Sequence, residues 1–392
     1  MPQAVGFSTA QALDYTMEYV QESVATLHDF GDAHPTATAD SATVVVPMTE
    51  REHAGLAAER VLSALETVSP ERVVVPLRAS EERVGAVARW LSEFDLPLSV
   101  LWCDGPRLSG LLSDGGLDGA RGKGRDVWLA LGIASDSEYV VVHDADAKSY
   151  DENHVPKLLF PLAHGMAFSK GYYARVENDR LYGRLFRLFY RPLIEALASE
   201  RNAPILDYLG SFRYALAGEF AMTGRLARRL RIQRGWGLEV GTLGEAFRLV
   251  GPDSSAQVDL GIHEHDHRSV SGPSGLSDMS EQVGEALFRA LEDNGYEPAY
   301  EALDGRYREA AERLVNGYAL DAGFNGLEYD REDESTQIDA YADTIGQPGT
   351  DTRLPAWENA AIDPTDVATA ATHDLADATG EDIGEVSLRR RR

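Results

Sequence analysis

Lysine is nearly absent from this chain of 392 residues. Only four of its 37 basic side chains are lysines, and all four lie between residues 123 and 170. They are Lys123, Lys148, Lys157 and Lys170. A surface that avoids lysine makes the remaining lysines better candidates for specific tasks than a lysine in an ordinary protein.

Positive charge is scarce as a whole, since the formal net charge is −27 and the sequence pI is about 4.7. A general nucleic-acid binder needs a basic surface that displaces counterions from phosphates, so this class is excluded. Small molecules are the expected partners. Acidity spread along the whole chain also suits a cytosol at molar salt, where repulsion between carboxylates is screened, and we take a halophilic source as a hypothesis.

Cysteine and long apolar runs are also missing. Cys103 is the single cysteine, which excludes an intramolecular disulfide and a cysteine cluster for zinc, and it follows a strand-like segment as a small core residue would. No segment approaches the roughly 18 apolar residues of a membrane span, and no basic region followed by an apolar stretch opens the chain. We therefore expect a cytoplasmic protein without a membrane partner.

The apolar segments that are present alternate between two periods. Continuous Val/Ile/Leu runs predict buried strands, and amphipathic segments between them predict helices, which together indicate an α/β fold with a parallel sheet covered on both faces. The strands are predicted in ATVVVPM, ERVVVPL, LPLSVLW and EYVVVHD, and the helices in EREHAGLAAERVLSAL, SEERVGAVARWLSEF and GRDVWLALGIAS. Residues 8–30 have helical spacing after a Ser/Thr start, which predicts an N-terminal helix (domain 1–35) that packs on the main domain or on a second subunit.

Ligands of such sheets bind at the carboxyl ends of the strands. The Gly-x-Gly-x-x-Gly turn is absent after the first strand, which argues against a classical dehydrogenase. Asp144 and Asp146 follow the fourth strand in HDADA, one residue apart, and in an extended segment they face the same side. A divalent cation completed by a nucleotide diphosphate would explain this pair, and a short acidic turn is the plain alternative.

Further candidates lie in three short segments. In Gly122-Lys123-Gly124 the lysine suits a diphosphate, and a flexible surface loop is the alternative. In GIHEHDHRS three histidines share one face if the segment is extended, so either one of them is a metal ligand or the segment is a polar edge strand. In GWGLEVGTL the carboxylate of Glu239 is either bonded to backbone or presented to a sugar.

A fourth segment, GRLFRLFYRP, has arginines at near-helical spacing. Gly183 at a helix N-terminus with Arg184 beside it would hold a phosphate or carboxylate, whereas Arg187 is expected to be solvated.

These motifs together resemble the glucosyl-3-phosphoglycerate synthase family, whose members are retaining glycosyltransferases with a GT-A fold. The resemblance covers roughly residues 8–320 in family order. The matching segments are WCDGPR, GKGRDVW, HDADA, KGYYARV, GRLFRLFYRPL, DYLGSFRYALAGEFAM, GWGLEVG and AQVDLGIHEHDH. Phe186 stands where some members have threonine, and His263 where some have arginine.

The resemblance implies a role for each candidate residue. Asp146 and His265 are expected to bind the Mg²⁺ or Mn²⁺ cofactor. Donor contacts are expected from Pro47 and Thr49 in the uridine pocket, and from Lys123, Asp144 and Asp146 at the diphosphate. The transferred sugar is assigned to Glu239, a catalytic candidate together with Asp146, and the acceptor to Gly183, Arg184 and Lys170.

The expected reaction is metal-dependent transfer of glucose from an NDP-glucose, such as UDP-glucose, to 3-phosphoglycerate. Transfer of mannose, a sugar-phosphate nucleotidyltransferase and a non-catalytic sugar-nucleotide-binding protein stay open as alternatives. The domains are placed at residues 36–270 for the GT-A unit and 271–320 for a helical extension, and a homodimer is expected. Residues 321–392 are acidic and poor in large apolar side chains, which predicts a disordered tail with a solvated RRRR end.

Overall fold

A mixed sheet lies at the centre of the molecule, whose computed structural model describes residues 21–37, 39–264 and 273–380. The strands follow the order β1, β11, β7, β10, β6, β2, β4, β3, and β5 also pairs with β4. All neighbours run parallel except β10, which is antiparallel to β6 and β7. The strands are β1 (Ala25–Leu27), β2 (Ala42–Val45), β3 (Met48–Thr49), β4 (Arg72–Arg78), β5 (Leu98–Trp102), β6 (Tyr139–Val142), β7 (Phe168–Ala174), β10 (Phe220–Thr223) and β11 (Ser255–Ile262), and the two-residue strands β8 (Val176–Glu177) and β9 (Arg180–Leu181) form a separate hairpin.

Helices pack on both faces of this sheet. They are α1 (Leu56–Val68), α2 (Glu81–Leu91), α3 (Pro106–Asp114), α4 (Lys123–Ala134), α5 (His154–Ala163), a π-helical turn (Leu185–Tyr190) that continues as α6 (Arg191–Glu200), α7 (Pro204–Ser211), α8 (Gly224–Ala227), α9 (Leu238–Val250), α10 (Pro273–Asp293), α11 (Leu303–Phe324), α12 (Arg331–Ala342) and α13 (Pro364–Thr379). The central strands β2 and β6 consist of buried Val, Ala and Thr, with one half-buried tyrosine at the start of β6, because helices cover both of their faces. The predicted α/β fold is confirmed, and so are the four Val/Leu-rich strands and the three helices between them.

The predicted N-terminal helix is wrong in its described part. Residues 25–27 form β1, which extends the sheet by pairing in parallel with residues 256–258 of β11. The Thr26 side chain is buried there and accepts a hydrogen bond from Gln257 Nε2 at 3.0 Å. Sheet pairing to a distant strand therefore overrides the local helical spacing.

The disordered tail is also wrong as far as residue 380. Helices α12 and α13 pack on the body, and the intervening Trp357 stacks on Trp128 of α4 with ring centroids 4.0 Å apart. Asp374 of α13 is buried and accepts the backbone N–H groups of Arg107 and Leu108 at the start of α3, both at 3.0 Å. The packing involves a few buried large residues, among them Tyr341, Trp357 and Leu375, and the buried Glu334 paired with Arg187.

No helix within the described ranges is long and apolar enough to cross a membrane.

Candidate active site

A cavity of about 440 Å³ opens at the carboxyl edge of β2, β4 and β6, where the sequence predicts the ligand site. The segment after β2 contributes Pro47 and Thr49, and the segment after β6 contributes Asp144 and Asp146. Lys123 enters from the first turn of α4. The cavity therefore collects all the residues that the sequence assigns to the donor.

Lys123 lies at the centre of a charge cluster in this cavity. Its Nζ atom lies 2.6 Å from Asp144 Oδ1 and donates to Glu239 Oε1 at 2.8 Å. Burial opposes the ammonium form, but the two carboxylates outweigh burial and raise the pKa of Lys123 above its ordinary value. The lysine therefore remains a cation, and it brings Glu239 of α9 beside the acidic pair that follows β6.

The glycines on either side of Lys123 allow a close contact between two backbone segments. A Cβ atom at Gly124 would lie 1.7 Å from the Gln233 carbonyl oxygen, and one at Gly122 would lie 2.6 Å from the Arg234 carbonyl oxygen. Arg125 N also donates to that Arg234 carbonyl at 3.0 Å. Two glycines are thus required so that the start of α4 can pack directly on residues 233–234, which places Lys123 next to the segment leading to α9.

His143, the first residue of HDADA, takes no part as a cation. Its ring is fully buried and packs edge-on against Tyr150, with ring centroids 4.9 Å apart. Burial lowers the pKa of His143 to about 3, so the imidazole is neutral at ordinary pH. Lys123 is a positive partner of Asp144.

One of the two residues assigned to the metal lies in the cavity. Asp146 lines the cavity with Lys123, and a carboxylate oxygen there is the kind of ligand that Mg²⁺ or Mn²⁺ prefers. His265 lies outside the described residues. Among the residues that are described, no group of three or more His, Cys, Asp or Glu side chains is placed to hold a metal ion. The carboxylate thus fits a cation that takes further oxygen ligands from a diphosphate.

Arg184, the main acceptor candidate, lies at the start of the π-helical turn. Gly183 precedes it with φ of +77°, and a Cβ atom at Gly183 would lie 3.0 Å from Tyr214 Oη, so glycine is required there. Arg184 Nε donates to Glu334 Oε1 at 3.0 Å, and Nη2 pairs with Asp333. Both carboxylates come from α12, in the segment predicted to be disordered.

Arg187 contradicts its predicted solvation. Its guanidinium is buried and forms a bidentate pair with Glu334, with Nη1–Oε2 at 2.8 Å and Nη2–Oε1 at 3.2 Å. Tyr329 donates a further hydrogen bond to Glu334 at 3.1 Å. Glu334 therefore fixes both arginines of this turn, and it could not be found from the sequence because the pairing spans about 150 residues along the chain.

Lys170, the third acceptor candidate, is buried in β7. Its ammonium donates to the Ala217 carbonyl and lies 5.2 Å from the centroid of the Phe220 ring. Burial lowers the pKa of Lys170 to about 8, although the nearby carboxylate of Glu239 opposes this shift. Lys170 is not among the residues that line the cavity.

Several residues that line the cavity were not predicted from the sequence. Arg78 lines the cavity and donates to the buried Asp126 at 2.9 Å. Glu52 accepts hydrogen bonds from the backbone N–H and the hydroxyl of Thr49, at 2.6 and 2.7 Å. Trp236 and Gln282 form another part of the wall. The position of Trp236 in GWGLEVG was a usable signal, whereas nothing in the sequence marks Gln282.

The chain is similar in sequence to curated proteins over most of its length. The chain is 35% identical to glucosyl-3-phosphoglycerate synthase of Methanococcoides burtonii over 378 residues, which cover 88% of this chain and 94% of that protein. It is 36% identical to the enzyme of the same name from Persephonella marina over 321 residues, which cover 77% and 79% of the two chains. No family model matches the chain.

Solved structures of two related synthases superpose on this chain. The glucosyl-3-phosphoglycerate synthase of Mycobacterium tuberculosis in complex with Mn²⁺, uridine diphosphate and phosphoglyceric acid superposes with a TM-score of 0.53 and 25% identity, over 71% of this chain and 88% of that one. A mannosyl-3-phosphoglycerate synthase from Rubrobacter xylanophilus superposes with a TM-score of 0.50 and 25% identity, over 65% and 74%.

Proposed function

Because the chain belongs to the glucosyl-3-phosphoglycerate synthase family of GT-A glycosyltransferases, we propose that it transfers glucose from UDP-glucose to 3-phosphoglycerate. The observation that carries this proposal is the Lys123–Asp144–Glu239 cluster, because one cation joins the donor-side acid to the carboxylate assigned to the sugar. The same cavity is lined by Pro47 and Thr49, which are assigned to the nucleoside.

The cofactor in this proposal is Mg²⁺ or Mn²⁺, the ions held by related structures together with uridine diphosphate. Asp146 supplies one ligand, and His265 is proposed as the second. When bound, the cation neutralises negative charge on the diphosphate.

The chain's own residues account for the remaining steps. Lys123 stabilises the charge that develops on the departing diphosphate. The acceptor hydroxyl bonds to the anomeric carbon on the face from which the diphosphate leaves, and its proton passes to the leaving phosphate oxygen. Glu239 orients the sugar hydroxyls, while Gly183 and Arg184 hold the acceptor's anionic groups. Lys170 contributes a buried positive charge behind the site.

Mannosyl transfer is the second candidate, because a mannosyl-3-phosphoglycerate synthase superposes on this chain with a TM-score of 0.50 and 25% sequence identity. A homodimer in the cytoplasm of a halophilic cell, where the product serves as a compatible solute or its precursor, belongs to the same proposal.

The test is a donor and acceptor panel with the purified chain. UDP-glucose and GDP-mannose are each incubated with 3-phosphoglycerate and Mg²⁺ or Mn²⁺, the products are identified by mass spectrometry, and the anomeric configuration is read by NMR. We expect glucosyl-3-phosphoglycerate with retained configuration and release of UDP. Release of pyrophosphate would indicate a nucleotidyltransferase, and no turnover with any nucleotide sugar would reject the proposal.

A further inference from the structure

One wall of the cavity comes from outside the sheet domain. Gln282 lies on α10, which begins beyond the candidate metal-binding segment, and its side chain lines the same cavity as Lys123, Asp144 and Asp146. No motif includes this residue, and the mechanism above gives it no task.

Gln282 is fixed by the loop that leads to Glu239. Its Oε1 atom accepts the backbone N–H of Trp236 at 3.1 Å. A Cβ atom at Gly235 would lie 2.1 Å from the same Oε1 atom, and one at Gly237 would lie 2.9 Å from the Gln282 carbonyl oxygen. Glycine is therefore required at position 237 for this turn to pack on α10, two residues before the carboxylate that contacts Lys123, and a larger residue at position 235 would displace the Gln282 amide.

This contact sets the direction of the amide. Because Oε1 is used by Trp236, the –NH₂ group is the part of the amide left for a ligand, and it donates no hydrogen bond to another group within the described residues. Two neutral N–H donors next to a cluster that is already charged suit a hydroxyl group better than a phosphate, which is matched by Lys and Arg.

We infer that Gln282 is a specificity-determining residue that donates a hydrogen bond to a hydroxyl of the transferred hexose. The inference rests on the proposed function, and it makes the C-terminal extension part of the donor site. An uncharged donor held in a fixed direction discriminates between sugars, because a sugar that lacks the matching hydroxyl leaves the amide without a partner.

The test compares Gln282→Met with the wild type. Binding of UDP and of UDP-glucose is measured by calorimetry with Mg²⁺ and without acceptor. We expect the variant to bind UDP-glucose about 3- to 10-fold more weakly, the size of one neutral hydrogen bond, and to bind UDP as before. Glu281→Met is the matched control, because Glu281 is an exposed neighbour on α10 that does not line the cavity.

A series of deoxy sugars distinguishes a direct contact between Gln282 and the sugar from a purely structural role of Gln282 in stabilising the Gly-Trp-Gly turn. Binding of UDP-glucose analogues that each lack one sugar hydroxyl is measured with both proteins. Loss of one particular hydroxyl should weaken binding to the wild type but should have no effect on binding to Gln282→Met. Equal weakening of UDP and UDP-glucose, or the same deoxy pattern in both proteins, would overturn the inference. If the wild type turned over no nucleotide sugar, the proposed function itself would fail. If the wild type is active and Gln282→Met binds UDP-glucose as tightly as the wild type does, only the role of Gln282 is overturned.

Discussion

Lys123 carries its positive charge between two carboxylates, and its removal has two consequences. Lys123→Met leaves Asp144 and Glu239 without the cation that pairs with both of them, so the melting temperature should fall. Activity should also fall, by an amount equal to about 2 kcal/mol or more of transition-state stabilisation, because charge on the departing diphosphate is no longer compensated. Lys123→Arg should recover stability better than kcat. Full kcat in Lys123→Met, with only a lower melting temperature, would make the cluster structural.

Asp146 is the residue on which the metal assignment depends. Asp146→Asn keeps the volume and removes the ligand charge, so turnover should be lost while the melting temperature stays close to that of the wild type. Mn²⁺ binding in the presence of UDP, followed by electron paramagnetic resonance, should weaken in parallel. Asp253→Asn, at an exposed position away from the cavity, is the control. Near wild-type turnover of Asp146→Asn with either ion would reject the assignment.

Arg184 and Asp333 give a test of the acceptor site. Asp333 is half exposed and pairs with one nitrogen of Arg184, while the buried Glu334 holds another, so an acceptor anion and Asp333 would compete for the same guanidinium. Arg184→Ala should weaken acceptor use by roughly 1.5 to 3 kcal/mol and leave donor constants unchanged. Asp333→Asn should lower the apparent acceptor KM. A raised acceptor KM in Asp333→Asn, or equal losses for donor and acceptor in Arg184→Ala, would place Arg184 in a structural role.

The arginines of this turn also show what a sequence can and cannot predict about residues. Arg184 and Arg187 lie in one segment of near-helical spacing, which gives no reason to expect that either is buried. In the structure, Arg187 is buried and bonded to Glu334. Its partner lies in a segment whose composition gives no reason to expect packing. Lys123, by contrast, was predictable because it is a rare residue type inside a local motif.

At the scale of elements, the predicted strands are correct where the chain is continuously apolar. Among the strands that were not predicted, β7 contains Ser169, Lys170 and Gly171, and β1 has only three residues. Their positions depend on pairing with distant strands and not on their own composition. The same limit applies to α12 and α13, where buried Ile338, Tyr341, Val367 and Leu375 are spread among acidic residues.

The C-terminal segment yields a prediction about stability. Truncation after residue 324 removes Glu334 and Trp357, which leaves Arg187 buried without its carboxylate partner and uncovers Trp128. The free energy of unfolding should drop by at least the roughly 3–5 kcal/mol of one broken buried ion pair, measured by urea denaturation. Trp357→Ala alone should cost about 3–5 kcal/mol, and Glu358→Ala, at the exposed neighbouring position, should cost little. A truncated protein as stable as the full chain would show that these contacts contribute nothing.

On the scale of the whole molecule, net charge determines how stability responds to salt. With a net charge of −27, the folded chain repels itself, and this repulsion is screened as the Debye length falls from about 10 Å at 0.1 M to about 3 Å at 1 M salt. Exposed pairs such as Arg228–Asp136 weaken under the same conditions, but each contributes only about 0–1 kcal/mol. Repulsion among the excess carboxylates is therefore expected to be the larger effect, and the melting temperature should rise from 0.1 to 2 M KCl.

A charge variant separates screening from other effects of salt. Glu82, Glu301 and Glu309 are exposed, and none has an ion-pair partner within the described residues. Replacing all three by Gln lowers the excess of negative charge, so the melting temperature should increase at 0.1 M KCl and its dependence on KCl should become less steep. If the wild type melted at a lower temperature in 2 M KCl, its ion pairs would outweigh the repulsion, and the acidic composition would not be an adaptation to salt. An equal slope for wild type and variant would instead assign the stabilisation to the exclusion of salt from apolar surface, which is independent of charge.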